Sequence, residues 1–106
     1  MSAAGLSLLV VDDDEMIRRV FREIVAPREE VELQEAASAE EALDLLGRRS
    51  FDVAFVDLRM PGLGGIELLG RLRKEYPSLE VVMVTAHGTI ETAVQAMKLG
   101  ASDFLP

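Results

Sequence analysis

The sequence predicts an α/β fold: a doubly wound, five-stranded parallel sheet in strand order 2-1-3-4-5. Two observations carry this. Short, nearly all-apolar runs alternate with amphipathic helical patterns along the whole chain. The runs are too apolar for strands with one wet face and suit a parallel sheet covered by helices. Right-handed crossovers then turn the order βαβαβαβαβ into an open, doubly wound sheet.

The elements follow in order. Leu6-Ser7-Leu8-Leu9-Val10-Val11 is the first strand. Met16, Ile17, Val20, Phe21, Ile24 and Val25 form one apolar stripe on the first helix, which Pro27 stops. Val31–Ala36 is more polar and partly alternating, which suits an edge strand. Ser38 with Glu41 three residues on is a capping box, opening a second helix with Ala42, Leu43 and Leu46 inward. Val53–Val56 is the third strand. Ile66, Leu69, Leu72 and Tyr76 mark the third helix, closed before Pro77. Val81–Val84 is the fourth strand. Thr89 is the expected cap of a fourth helix with Ile90, Ala93, Val94 and Met97 on one face, and Gly100 its C-terminal residue. Asp103-Phe104-Leu105 is a short last strand. The two polar strands, second and fifth, fall at the edges.

Composition narrows the function. The 106 residues make one domain, 1–106, able to fold on one core. There is no Cys and one His, which excludes a disulfide framework, a thiolate site and a multi-histidine zinc site. A net charge of -8 argues against direct nucleic-acid binding, which needs a basic footprint. No apolar run reaches the roughly 20 residues of a membrane span, and the N-terminus lacks the pattern of a signal peptide. The expected compartment is the cytoplasm, with no membrane partner.

In such a sheet, ligands bind at the carboxyl ends of the strands, near the point where strand order reverses. That point lies between the first and third strands. Asp12-Asp13-Asp14 follows the first strand, Asp57 the third, and Thr85-Ala86-His87 the fourth. Asp12, Asp13 and Asp57 should therefore converge. Left unpaired they repel, and at least one pKa should rise. A hard divalent cation such as magnesium, which takes oxygen ligands, resolves the conflict. Asp14 reads as a helix cap. Gly62, Gly64 and Gly65 read as turn chemistry after Asp57. Met16, Met60, Met83 and Met97 read as core or loop filler.

Val10-Val11-Asp12-Asp13-Asp14, Val56-Asp57-Leu58-Arg59-Met60-Pro61-Gly62, Val84-Thr85-Ala86-His87-Gly88 and Gly100-Ala101-Ser102-Asp103-Phe104-Leu105-Pro106 together resemble the receiver domain of two-component response regulators. The stretch from Thr85 to Leu105 is most similar to receivers of the nitrogen-regulation, NtrC-like type. The resemblance implies the flavodoxin-like, CheY-like sheet. It implies a phosphorylation-dependent signalling switch in which Asp57 accepts a phosphoryl group from a sensor histidine kinase. Asp13 and Asp57, with the backbone carbonyl of Arg59, would bind Mg2+, and Asp12 would hold the ion through water. Thr85 would contact the phosphoryl group, and Phe104 would be the aromatic switch residue. His87 lies where the family tunes dephosphorylation. By the same resemblance the domain would catalyse only its own phosphoryl transfer and hydrolysis and serve an output domain that regulates transcription; self-association, as in a homodimer, is a separate expectation from the apolar sheet face left uncovered without a fifth helix.

One departure stands out. The family carries a Lys directly after the Leu-Pro at Leu105-Pro106, whereas this chain has only Lys74 and Lys98, expected at the far edge of the sheet. That lysine and a fifth helix are missing, so a C-terminally truncated receiver is expected. Two other readings compete. Asp12-x-Asp14 after a first strand resembles haloacid-dehalogenase-type phosphohydrolases, but this leaves the Asp57 motif unexplained. A phosphate-independent interaction module leaves the full set of Asp12, Asp13, Asp57 and Thr85 unexplained.

Overall fold

The structure is a computed structural model and describes residues 5–60, 62–84 and 90–105. Strands β1 (Leu6–Val11), β2 (Val31–Ala36), β3 (Val53–Asp57), β4 (Glu80–Val84) and β5 (Asp103–Leu105) alternate with helices α1 (Glu15–Val25), α2 (Ala39–Arg48), α3 (Gly65–Glu75) and α4 (Ile90–Lys98). The strands form one five-stranded sheet in the expected order, β2-β1-β3-β4-β5. Every neighbouring pair is parallel. The more polar strands, β2 and β5, take the edges. No helix among the described residues is long and apolar enough to cross a membrane.

The local signals act as their chemistry requires. Asp14 caps α1, its carboxylate accepting from the Met16 N–H at 2.9 Å. Ser38 Oγ accepts from the Glu41 N–H at 3.1 Å. The Glu41 carboxylate reaches back one residue further than the usual box, to the Ala37 N–H at 3.1 Å. Gly100 has φ of +102° and ends α4 in a Schellman turn, with Ala101 N–H on Ala96 O and Gly100 N–H on Met97 O.

Burial differs between the two faces of the sheet. Leu9, Val11, Ala54, Val56, Val81 and Met83 are fully buried against Ala42 and Leu46 of α2 and Leu68, Leu69 and Leu72 of α3. On the opposite face only Leu8 and Val10 of β1 are buried, while Val53, Phe55, Val82 and Val84 are half-buried. Uniform apolar runs suit strands covered on both faces; on this face Leu8 and Val10 of β1 are covered, whereas Leu6 is exposed and β3 and β4 are only half-covered. Helix α1 packs on β1 and β2, and Phe21 reaches Phe55 with ring centroids 5.0 Å apart. The rest of the α1 stripe stays out of the core: Met16, Ile17, Val20 and Ile24 are exposed. Among the methionines, Met60 and Met83 are buried, and Met16 and Met97 are not.

Helix α4 is rotated from the expected face. Ala96 is fully buried and Ala93 half-buried, whereas Val94 and Met97 are exposed. Two alanines three residues apart let the helix approach the sheet closely, and the larger side chains then point away.

Candidate functional site

The site begins with strand order. β1 and β3 are direct neighbours, with Val11 beside Val56. Whatever follows each strand must therefore meet at the same edge of the sheet. Asp57 is the last residue of β3, and Asp12 and Asp13 come directly after β1. One carboxylate oxygen from each of Asp12, Asp13 and Asp57 lies within 4.8 Å of the others. Asp12 is buried, Asp57 half-buried and Asp13 exposed.

Each acid is held differently. Asp12 donates its backbone N–H to Ala36 O at 3.0 Å, tying the β1–α1 loop to the end of β2. Its carboxylate accepts from the Asp14 N–H at 2.9 Å. Its carbonyl accepts from Arg18 Nη1 at 2.6 Å. The segment after Asp57 folds back through Leu58, whose N–H donates to Val84 O and whose carbonyl accepts from the Gly65 N–H. Leu58 and Met60 are buried, so the exposed Arg59 sits between two anchors.

The electrostatics follow from this crowding. Burial pushes the Asp57 carboxyl up to about 6, and the charges of Asp12 and Asp13 add to the rise. The backbone N–H groups of Arg59 and Leu58 act the other way. Burial likewise raises Asp12, opposed by its hydrogen bond from Asp14 and helped by the charges of Asp13 and Asp14. The expected rise is thus present and falls on the two acids that are covered. An all-oxygen donor set this compact, with one acid open to solvent, suits a hard divalent cation that keeps part of its water shell.

Not all the expected residues can be placed. Thr85, His87 and Thr89 lie outside the described residues, as do Pro61 and Pro106. Phe104 pairs with Met83 through its backbone in β5, and its side chain is outside what is described. One residue that sequence reasoning passed over, Arg18, and one that it read only as turn chemistry, Gly65, matter here. Arg18 touches the acidic loop from inside α1, and no spacing rule pointed to it. Gly65 opens α3 against the backbone of Asp57 and Leu58. A glycine in the first turn of a helix is itself the signal of a close approach.

Comparison with known proteins agrees with this geometry. The chain matches the response regulator receiver domain over residues 8–106. It is 39% identical to the response regulator protein PilR of Pseudomonas aeruginosa, over 92% of this chain and 22% of that protein. It is 42% identical to the alginate biosynthesis transcriptional regulatory protein AlgB of the same species, again over 92% and 22%. The chain thus spans about a fifth of the length of these curated relatives. Among solved structures, the receiver domain of NtrX from Brucella abortus is 39% identical with a TM-score of 0.84, covering 92% of this chain and 82% of that one. A response regulator from Burkholderia pseudomallei, solved with a phosphorylated aspartic acid, calcium and citrate, is 31% identical. Its TM-score is 0.87, over 95% of this chain and 59% of that one. Receivers of the nitrogen-regulation type are therefore among its relatives, as the stretch from Thr85 to Leu105 suggested, and the chain belongs to the response regulator receiver domain family.

Proposed function

We propose that Asp57 accepts a phosphoryl group from a phosphohistidine of a sensor kinase, and that the acyl phosphate so formed switches the domain. The observation that carries this is the half-buried Asp57 at the end of β3, with carboxylate oxygens of Asp12 and Asp13 within 4.8 Å. An Asp57 oxygen attacks phosphorus, the P–N bond breaks, and the imidazole of the kinase leaves. This chain supplies alignment: β3 aims the nucleophile, and the Leu58 anchors fix the loop after it.

Asp13, Asp57 and the backbone carbonyl of Arg59 would hold Mg2+, with Asp12 reaching it through water. When bound, the ion neutralises charge on the transferring group. The donor set fits it, because three oxygen-bearing acids converge on one spot. Thr85 would contact the phosphoryl group, and Phe104 would follow Thr85. The calcium and phosphorylated aspartate of the Burkholderia pseudomallei relative support the same reading. The domain acts on its own phosphoryl group and turns over no separate substrate. The name of AlgB, a transcriptional regulatory protein, supports a transcriptional output carried by another part of the protein. A cytoplasmic setting follows from a kinase partner of this kind.

The test is phosphorylation by a small phosphodonor such as acetyl phosphate with magnesium. Intact-mass spectra should show one added phosphoryl group, lost in base and in hydroxylamine. Asp57→Asn should abolish it. Modification of the Asn variant to the wild-type extent would refute the assignment.

A further inference from the structure

Arg18 is the one arginine among the described residues hydrogen-bonded to the acidic loop itself, and its three nitrogens go to three different elements. Nη1 donates to the Asp12 carbonyl at 2.6 Å. Nη2 pairs with Glu15 in the first turn of α1 at 2.9 Å. Nε lies 3.4 Å from Glu35 near the end of β2. Its side chain is only 16% exposed although it lies on a helix with no buried residue. Arg22 braces the same acids from one turn further on, meeting Glu15 at 2.6 Å and Glu35 at 3.4 Å, but it does not reach Asp12.

The Asp12 carbonyl is not an arbitrary acceptor. It shares one rigid plane with the Asp13 amide, since the peptide bond does not rotate. Fixing that oxygen fixes the plane from which Asp13 departs. Asp13 is exposed, so packing constrains its direction less than it does that of the buried Asp12. The backbone has to aim it. Asp12, by contrast, is already held through its N–H and its carboxylate.

We propose that Arg18 is a positioning residue for the divalent cation: by clamping the Asp12–Asp13 peptide to α1 and β2 it aims the Asp13 carboxylate at the site. This rests on the reading that Asp13 and Asp57 hold the ion. Arg18 is itself a cation beside a cation site. If it acted only through its charge, removing it would tighten metal binding. If it aims Asp13, removing it loosens binding, by about 10–100-fold as for other groups that orient metal ligands from behind.

The experiment is calorimetric titration of magnesium alone into the chain and its variants, at neutral pH and a temperature where circular dichroism shows each folded. Arg18→Gln should weaken binding at least about tenfold. Arg18→Lys, which keeps the charge but can reach fewer of the three acceptors, should fall between Gln and wild type. Arg22→Gln removes the neighbouring arms of the same ion-pair network and should leave affinity within about twofold. Unchanged or tighter binding by Arg18→Gln overturns the proposal, and so does an equal loss in Arg22→Gln. If the Gln variant does not fold, wild-type affinity in Arg18→Lys overturns it and a clear loss supports it. Asp13→Asn separates the two layers. Wild-type affinity in that variant means the ion is held elsewhere and defeats the underlying reading. A large loss there, with none in Arg18→Gln, defeats only the role of Arg18.

Discussion

Gly65 sits directly against the backbone of Asp57. A Cβ at position 65 would overlap the Asp57 carbonyl oxygen and come within 2.8 Å of Leu58 Cα. The obstacle is main chain, which cannot step aside as a flexible side chain would. Gly65→Ala would gain at most about 1 kcal/mol in helix propensity. The overlap costs more, about 3 kcal/mol at the upper end of overpacking penalties. Gly70 lies in the same helix, and a Cβ there meets nothing within 4 Å. Urea unfolding should therefore show opposite signs. Gly65→Ala should destabilise and slow phosphoryl acceptance at Asp57, whereas Gly70→Ala should stabilise by about 0.5–1 kcal/mol. Equal effects at the two positions would mean that α3 can slide away from β3.

The pH dependence of stability should carry the mark of Asp57. Its carboxyl is raised from 3.8 to about 6 in the folded chain, so the fold favours the protonated form. The contribution is full below about pH 4 and is lost as pH rises through about 6. Asp57→Asn stays neutral throughout. Without added metal, the melting temperatures of wild type and Asp57→Asn should coincide near pH 4. Asp57→Asn should then pull ahead by several degrees by pH 7. Acids with lowered pKa values, such as Glu15 beside Arg22, are common to both proteins and cancel in the difference. A constant gap across this range would show that Asp57 is not strained by its surroundings.

An apolar side chain matters to stability only where something covers it. Ile24 is 54% exposed on α1, and Leu69 is fully buried between α3 and the sheet. Ile24→Lys should change unfolding free energy by less than about 0.5 kcal/mol. Leu69→Ala should cost about 2–5 kcal/mol through lost contacts and a cavity. Denaturant titrations of the two variants check this directly. A loss above about 1 kcal/mol for Ile24→Lys would mean that this face of α1 is packed in solution.

Much of this was legible in the residues. The sheet order followed from uniform apolar runs and from the polarity of β2 and β5. The convergence of Asp12, Asp13 and Asp57 followed from that order alone, because neighbouring strands deliver their next residues to one place. The cover on each face was less legible. An amphipathic stripe such as Met16, Val20 and Ile24 tells which side of a helix is apolar but not whether anything lies over it. The rotation of α4 turned on Ala93 and Ala96, where small size outweighs the hydrophobicity of Val94 and Met97. Arg18 was invisible because its target is a backbone carbonyl, which every residue carries.

Magnesium should stabilise the chain, and the gain should follow the charge of the site. An ion that binds the folded state alone raises unfolding free energy by mass action. At about a hundred times Kd the gain is about 2.7 kcal/mol, worth about 10 °C for a domain of this size. That binding energy already includes relief of the repulsion among the three acids, which adds to burial in raising Asp57 and Asp12. Protons compete for the same oxygens. The gain should be full at pH 7.5 and shrink as pH falls through about 6, where Asp57 takes up its proton. Asp13→Ala removes the exposed acid without leaving a cavity, so it should keep the fold and lose most of the gain at every pH. Melting curves over a pH series, with magnesium and with chelator, decide the matter. A gain of the same size at pH 5 and pH 7.5, or one that survives Asp13→Ala, would place the ion away from these three carboxylates.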